Sequence, residues 1–235
     1  MIPGLDQASL GRFVGQLKES LEFQKDWGRH FFPKSEKKQK PAVLRGSPHR
    51  QYESCADLSR AIIECQNCHL ARKRRQAVPG QGSLHARLMF IGEGPGFEED
   101  QQGRPFVGPA GQLLTKMIQA IDLQREEVYI TNVVKCRPPE NRTPLEDEVE
   151  ACRPFLEEEI RLISPQILVA LGSSAAQNMT RTQKKISDLR GRLLNFDGRR
   201  LIATYHPAYL LRNPRAKREA WEDLKRVRRE YDGLE

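Results

Sequence analysis

Hydrophobic and polar positions along residues 53–235 follow the pattern of an α/β protein. Four short apolar runs have the length and composition of buried strands: 88–92, 128–134, 167–171 and 201–204. Four longer segments carry apolar residues at helical spacing: 111–121, 146–162, 173–179 and 217–229. Strands that alternate with helices build a mainly parallel sheet with both faces covered. We therefore expect a three-layer α/β/α sandwich around a four-stranded, mainly parallel sheet.

Residues 1–52 show a different pattern. Apolar residues at helical spacing predict one amphipathic helix between about Asp6 and Lys25: Leu10, Phe13, Val14, Leu17 and Leu21. Residues 30–52 combine basic side chains with three prolines, which predicts a flexible linker. We expect an N-terminal extension at 1–52 and a separate domain at 53–235.

The chain is basic, with 39 Lys and Arg residues against 31 Asp and Glu residues and a formal net charge of +8. An excess of positive charge is typical of proteins that bind phosphate-bearing partners, nucleic acids among them. The N-terminus lacks the succession of basic, apolar and small residues that marks a signal peptide, and no apolar run reaches membrane-spanning length. We expect a cytoplasmic protein without a membrane partner.

Four of the five cysteines form a candidate metal centre: Cys65, Cys68, Cys136 and Cys152. In a reducing compartment an odd number of cysteines favours metal ligation over disulfides and leaves Cys55 as the spare. Thiolates from separate segments suit a structural zinc or a [4Fe-4S] cluster. Zinc ribbons usually use two close pairs, whereas fifteen residues separate Cys136 from Cys152, so iron and sulfur are favoured. The alternative is that each cysteine is a small buried apolar residue.

Ligands of parallel sheets bind at the carboxyl ends of the strands, and these positions carry the candidate chemistry. The first strand runs into the glycine-rich, acidic segment 92–100, and the second ends at Asn132. The third leads to Ser173 and Ser174 at a helix start, which suits a phosphate, and the fourth leads to His206. Segment 92–100 lacks the Lys-Ser/Thr of a P-loop and the spacing of a dinucleotide fingerprint, so neither type of nucleotide site is indicated.

Together these motifs resemble the family 4 uracil-DNA glycosylases, the iron-sulfur branch of that superfamily. The resemblance covers about residues 65–229 and rests on GEGPGFEED at 92–100, RPFVGPAG at 104–111, TNVVKC at 131–136 and HPAYLLR at 206–212. It implies a four-stranded parallel sheet between helices and removal of uracil from DNA to leave an abasic site. It also implies a structural [4Fe-4S] cluster, because the four cysteines fall in that family's order. The N-terminal extension lies outside the resemblance.

The resemblance also implies a base pocket. Asn132 would accept a hydrogen bond from uracil N3–H and donate to O4, whereas cytosine opposes both groups. Phe106 would stack on the uracil ring, and Gly92 and Gly94 would let the main chain approach the base. The alternative for Asn132 is a strand-end residue that only caps the next turn, and without the resemblance Phe106 would be interpreted as a core aromatic residue.

Cleavage of the N-glycosidic bond places positive charge on the sugar and negative charge on the departing uracil. Glu93 is expected to stabilise the sugar cation or to position the attacking water, with Glu99 as a supporting acidic residue. His206 is expected to donate a hydrogen bond to uracil O2. The sequence departs from the best-known uracil glycosylases, which carry an aspartate where this chain has Gly94.

A glycosylase must also rotate the damaged nucleotide out of the duplex, which costs a few kcal/mol of unstacking. The resemblance makes Leu210 the tip of a wedge in the minor groove, with Leu211 beside it and Arg212 on a phosphate. Ser173 and Ser174 are expected to bind a DNA phosphate. Ordinary packing of this loop in the core is the alternative.

Two other functions compete with this interpretation. One is a non-catalytic nucleic-acid-binding module in which the cluster braces a basic surface. The other is a sister family that forms a covalent adduct with uracil-containing DNA through a histidine in a basic inserted loop. That insert is missing, because Phe97 leads directly through acidic residues to Gln101. We expect a monomeric enzyme on uracil-containing DNA, whose N-terminal helix docks on its own domain, binds a protein partner or tethers DNA.

Overall fold

The computed structural model describes residues 51–234. The amphipathic helix expected at 6–25 and nearly all of the linker expected at 30–52 lie outside these residues. Within them, no helix combines the length and the apolar character needed to cross a membrane.

A mixed sheet forms the centre of the described domain. Its strands are β1 (Gln81–Gly82), β2 (Leu88–Gly92), β3 (Tyr129–Asn132), β4 (Ile167–Leu171), β5 (Leu193–Phe196) and β6 (Arg199–Thr204). Their order in the sheet is β1-β3-β2-β4-β6-β5. The four strands expected from the sequence, β2, β3, β4 and β6, pair in parallel, which confirms the mainly parallel core.

The expected number of four strands is wrong, because β1 and β5 add antiparallel pairs at the two edges. β1 has two residues, too few to show any periodicity. β5 and β6 form a hairpin whose turn contains Asp197 and Gly198, both with positive φ (47° and 81°). An Asp-Gly pair with this backbone is a strong hairpin signal, so β5 was detectable from the sequence.

Helices cover both faces of the sheet, as expected. They are α1 (Cys55–Glu64), α2 (Phe97–Gln102), α3 (Pro109–Gln119), α4 (Glu146–Ile163), α5 (Gly172–Thr180), α6 (Ile186–Leu189), α7 (Pro207–Arg212) and α8 (Lys217–Asp232). Successive side chains of β2 enter opposite cores: Met89 packs with α1, α4 and α5, whereas Phe90 packs with α3, α7 and α8. This alternation is the period of two that separates the faces of a sheet.

The local sequence of α4 explains how one cysteine reaches the interior. The first turn is acidic, which stabilises a helix N-terminus, and the Glu148 carboxylate accepts a hydrogen bond from the Leu145 N–H at 2.7 Å. From this start, Val149, Cys152 and Phe155 face the sheet at helical spacing and are buried. Cys152 is therefore fixed by the same stripe that packs the helix.

Candidate active site and cysteine centre

A cleft of about 540 Å³ lies at the carboxyl ends of the parallel strands. This volume is within the range of small-molecule sites. Most of the site residues expected from the sequence line it: Glu93, Gly94, Glu99, Phe106, Asn132, Ser173, Ser174, His206 and Arg212. Strand-end positions that are distant in sequence are thus brought together at one edge of the sheet.

The Asn132 side chain lies against Phe106 and Gly92 at this cleft. A Cβ atom on Gly92 would lie 2.4 Å from Asn132 Oδ1 and 2.5 Å from Phe106 Cζ, so glycine is required for both side chains to fit. Asn132 is 1% exposed, and its Oδ1 has no hydrogen-bond partner in the part of the chain that the structure describes. A buried polar atom left unpaired costs about 1–3 kcal/mol, so this oxygen is an open acceptor that a bound ligand can satisfy.

Glu99 joins the two loops that flank the pocket. Its Oε1 accepts hydrogen bonds from the N–H groups of Val107 (2.9 Å) and Gly108 (3.0 Å), and its Oε2 accepts one from Gly96 (3.1 Å). The side chain is buried. These contacts give Glu99 the geometry of a loop anchor, a role that residue type and spacing did not reveal.

Phe106 is held in an unusual backbone conformation. Its φ of 51° lies in the left-handed region, which costs a non-glycine residue on the order of 1–3 kcal/mol. Arg125 donates from Nη2 to the carbonyl oxygen of Pro105 at 2.6 Å, and a Cβ on Gly111 would overlap the Phe106 carbonyl at 1.9 Å. The surroundings therefore fix the aromatic ring beside Asn132. Arg125 lies on a different element, and no sequence pattern pointed to it.

Glu93 follows β2 directly and lines the cleft. Burial raises the pKa of its carboxyl above the ordinary value, and a side-chain hydrogen bond with Ser174 partly offsets the rise. A Cβ on Gly94 would lie 2.8 Å from Cγ2 of Val134, so an aspartate at 94 has no room without displacement of that valine. The carboxylate available at this strand end is thus the one on Glu93. Ser174, expected to bind phosphate, contacts Glu93.

His206 sits at the N-terminus of α7 as a neutral imidazole. Its Nδ1 accepts a hydrogen bond from the Ala208 N–H at 3.1 Å. Burial, followed by the positive charge of Arg212, lowers the pKa of His206 to about 4. A neutral ring whose Nδ1 accepts carries its proton on Nε2, which makes that nitrogen a donor. A Cβ on Gly172 would lie 2.9 Å from His206 Cβ, so glycine there lets α5 begin close to the histidine.

The two leucines of α7 occupy opposite environments. Leu210, expected as the wedge tip, is 1% exposed and belongs to the core with Phe106, whereas Leu211 is 45% exposed. Leu210 as the wedge tip stays a prediction, and its burial in the free protein leaves Leu211 as the leucine of α7 that solvent reaches. Successive helix positions differ by about 100° in direction, so a helix that begins at Pro207 turns one leucine inward and the next outward. Arg212 is exposed and lines the cleft.

Asn141 and Arg142, in the loop after β3, also line the cleft and were not expected. The strand-end rule that selected Asn132 applies equally to this loop, so the signal was present. Arg142 makes two hydrogen bonds to the buried Glu148 carboxylate, at 2.8 and 2.6 Å. These bonds fix the loop to the start of α4.

A second cavity is lined by the four cysteines expected to bind a metal: Cys65, Cys68, Cys136 and Cys152. They come from the end of α1, the turn that follows it, the segment after β3, and the interior of α4. Within residues 51–234, no group of three or more His, Cys, Asp or Glu side chains is arranged to hold a metal ion. Cys55 lies outside this cavity.

Several contacts polarise the cysteine sulfurs. Arg74 donates from Nη1 to Cys136 Sγ at 2.9 Å, and the main-chain N–H of Lys135 donates to Cys152 Sγ at 3.2 Å. Burial raises the pKa of the thiols of Cys68 and Cys136, and it raises that of Cys152 to about 12. Because a cysteine binds metal as a thiolate, the positive charge of a bound centre is needed to hold these sulfurs ionised.

Comparison with known proteins agrees with this architecture. The family model described as Uracil DNA glycosylase superfamily matches residues 79–225. The chain is 44% identical to a type-4 uracil-DNA glycosylase from Sulfurisphaera tokodaii, over 75% of this chain and 84% of that protein. It is also 44% identical to type-4 uracil-DNA glycosylases from Thermotoga maritima (73% and 91%) and Pyrobaculum aerophilum (71% and 89%). The chain belongs to the uracil-DNA glycosylase superfamily, in its type-4 family, which confirms the resemblance found in the motifs.

Proposed function

We propose that this protein is a DNA repair glycosylase that flips uracil out of DNA and hydrolyses its N-glycosidic bond, leaving an abasic site and free uracil. The observation that carries the proposal is the buried, unpartnered Oδ1 of Asn132 beside Phe106 and Gly92. This oxygen needs an N–H donor, and the adjacent ring offers a face on which a planar base can stack. The type-4 relatives carry the name of the same activity.

Base selection follows from the chemistry of the Asn132 amide. Uracil presents an N3–H donor and an O4 acceptor, which match the amide oxygen and nitrogen. Cytosine presents an acceptor at N3 and a donor at its amino group, so both contacts would be opposed. A site whose buried polar groups remain unpaired with the wrong ligand discriminates strongly against it. Gly92 and Gly94 contribute to substrate binding because, without side chains, they let the protein main chain approach the base.

Bond cleavage is assigned to two groups at the cleft. Glu93 stabilises the positive charge that develops on the sugar, or positions the water that attacks it. His206 donates from Nε2 to uracil O2 and stabilises the negative charge on the departing base. Glu99 supports the reaction indirectly, because three main-chain amides engage its carboxylate.

DNA is engaged at the mouth of the cleft. We assign the wedge to Leu211, the exposed leucine of α7, with Arg212 on a phosphate. Ser173 lies exposed in the first turn of α5 and can donate to a phosphate there, next to the Ser174 that contacts Glu93. Every group in this assignment comes from one chain, so we propose that a monomer is sufficient.

The four cysteines fit a [4Fe-4S] cluster held by Cys65, Cys68, Cys136 and Cys152. Four sulfurs from three segments line one cavity, as the ligands of a cluster would. Such a cluster supplies structural bracing when bound and takes no part in hydrolysis. It would tie α1, the segment after β3 and α4 together beside Lys135 and the strand that carries Asn132.

The proposal is tested by single-turnover assay on a uracil-containing oligonucleotide. We expect free uracil and an alkali-labile site from the wild type. Asn132→Ala should reduce the rate of uracil release by roughly 10²-fold, while DNA affinity is largely kept, because phosphate contacts dominate affinity. A stable covalent complex would indicate an adduct-forming protein. Binding with neither product would indicate a non-catalytic module, and unchanged turnover in Asn132→Ala would remove Asn132 from the pocket.

A further inference from the structure

A lysine with no assigned role lies beneath the base pocket. Lys135 is 1% exposed, and its Nζ donates to Thr131 Oγ1 (2.7 Å), to the main-chain oxygen of Asn132 (2.7 Å) and to Glu159 Oε2 (2.6 Å). An ammonium group has three donors, so these three acceptors use them all. A lysine this deeply buried is rare in proteins unless it is paired.

The partner carboxylate is equally well satisfied. Glu159 is 1% exposed, and its Oε2 also accepts from the Thr131 hydroxyl at 2.6 Å. Its Oε1 accepts from the Gly80 N–H at 2.8 Å. The network thus connects α4 to the end of β3 without leaving an unmatched polar atom among these groups. Stability alone does not account for it, because apolar residues of similar volume often replace buried ion pairs without loss.

The contact with Asn132 gives the network a place in base recognition. Lys135 binds the main-chain oxygen of the residue whose side-chain oxygen is unpartnered in the pocket. That side chain has little freedom, because Gly92 and Phe106 crowd it. A rotation of the peptide after Asn132 would therefore displace the amide from the edge of the base.

The main chain of Lys135 is itself fixed on two sides. Its N–H donates to Cys152 Sγ at 3.2 Å, and its carbonyl oxygen accepts from the Val78 N–H at 2.8 Å. Cys136 is the next residue. The side chain of Lys135 therefore reaches toward Asn132 from a backbone that the cysteine centre and the segment before β1 hold in place.

We propose that Lys135 is a positioning residue for uracil recognition: with Thr131 and Glu159, it fixes the main chain of Asn132 so that the side-chain amide meets the edge of the base. The inference rests on the proposed role of Asn132. It assigns to the buried ion pair a task in specificity beyond its contribution to folding.

The test is a double-mutant cycle in the full-length, cluster-loaded protein. Lys135→Met with Glu159→Met removes both charges together, so neither is left buried and unpaired. This pair of substitutions is made in the wild type and in Asn132→Ala. We expect uracil release to fall by about 10-fold or more in the wild-type background and by less than about 2-fold in the Asn132→Ala background, because coupled residues give non-additive effects.

Two further measurements separate positioning from general damage. Absorbance of the cluster and affinity for abasic-site DNA should stay close to those of the parent proteins. Equal fold losses of uracil release in both backgrounds, or no loss in either, would overturn the inference. If Asn132→Ala alone has no effect on uracil release, the proposed function of Asn132 fails instead.

Thr131→Val provides a second, milder variant if the double substitution prevents folding. It removes one partner of Lys135 with little change of volume and leaves the ion pair in place. We expect a smaller loss of uracil release, about 3-fold to 10-fold, again confined to the background that retains Asn132. The same loss in both backgrounds, or none, would contradict the role of Lys135.

Discussion

At the scale of single residues, protonation states define how the site works. Glu93 has to be ionised to stabilise a cation, whereas His206 has to be neutral with its proton on Nε2. Burial lowers the pKa of His206 and so favours the neutral form that the reaction needs. Burial raises the pKa of Glu93 and so disfavours the charged form that the reaction needs. Because the reaction requires an ionised Glu93 and a neutral His206, the rate of uracil release should depend on pH.

We expect the single-turnover rate to fall on the acid side with a midpoint above the ordinary glutamate pKa of about 4.3. The carboxylate of Glu93 is lost as the pH drops through its raised pKa, and stabilisation of the sugar is lost with it. His206, with a pKa of about 4, stays neutral at higher pH and should add no inflection near the ordinary histidine pKa of about 6.5.

The measurement is a pH profile of uracil release for wild type, Glu93→Gln and His206→Ala. Glu93→Gln should be slower by roughly 10²-fold and should lose the limb due to Glu93, so that the remaining fall lies near the His206 pKa of about 4. An inflection near the ordinary histidine pKa that survives in Glu93→Gln and disappears in His206→Ala would show that the histidine titrates and that the assignment of protonation states is wrong.

Residue type and strand-end position were enough to bring Asn132, Glu93 and His206 to one cleft, because parallel strands end at the same edge. The contacts of Glu99 were not predictable in this way. Its three acceptor bonds depend on where a second loop returns, and that loop contains Phe106 with its positive φ. Nothing in the local sequence encodes it.

At the scale of elements, α7 shows where sequence reasoning ends. The motif at 206–212 identified the element, but it did not decide which leucine is free. That decision depends on the helix start at Pro207 and on the core packed against it. The hairpin of β5 and β6 is different, because the Asp197-Gly198 pair in the local sequence is enough to predict its turn.

The two leucines of α7 should respond differently to truncation. Leu211→Ala should lower excision from duplex DNA and spare excision from single strands, since a wedge is needed only where a base must be displaced from a stack. Leu210→Ala should instead lower the free energy of unfolding by about 2–5 kcal/mol, as for other buried leucines.

Single-turnover rates on duplex and single-stranded uracil DNA, together with denaturant unfolding, check both variants. If Leu210→Ala loses only duplex activity and keeps full stability, Leu210 is the wedge and its burial in the free protein is not decisive. Equal losses on both substrates for Leu211→Ala would exclude an unstacking role for Leu211.

At the scale of the whole molecule, the cysteine centre joins segments that are far apart in sequence. Purified without oxygen, the protein should be brown, absorb broadly near ~400 nm and contain about four irons per chain. Cys136→Ser should lose iron and stability together, because a bound centre contributes folding free energy. Cys55→Ser is the matched control and should keep both.

Iron analysis, absorbance and thermal unfolding of the three proteins decide this prediction. Colourless protein with one zinc per chain would contradict the cluster. Loss of iron in Cys55→Ser as well would show that the cavity lined by four cysteines does not define the ligand set.

The division near residue 53 is tested by a chain that begins at Gln51. This boundary retains Tyr52, whose main-chain oxygen accepts a hydrogen bond from Arg161 at 2.7 Å. We propose that the shortened chain keeps its iron and its single-turnover rate, because every group assigned to chemistry lies later. DNA affinity should fall and its salt dependence should become shallower, since basic residues of the linker are lost.

Loss of folding or of iron on this truncation would show that residues 1–50 belong to the core of the domain. Unchanged affinity and salt dependence would remove the linker from DNA binding and leave docking on the domain, or on a protein partner, as the role of the N-terminal helix.

The most direct test of the account is the identity of the base released from two duplexes that differ only by uracil or cytosine at one position. Wild type should release uracil far faster than cytosine. Asn132→Asp exchanges the amide donor for an acceptor, so the ratio of cytosine to uracil release should rise by about 10-fold or more. A wild type that releases neither base, or an unchanged ratio in Asn132→Asp, would contradict the claim that the buried amide of Asn132 selects uracil.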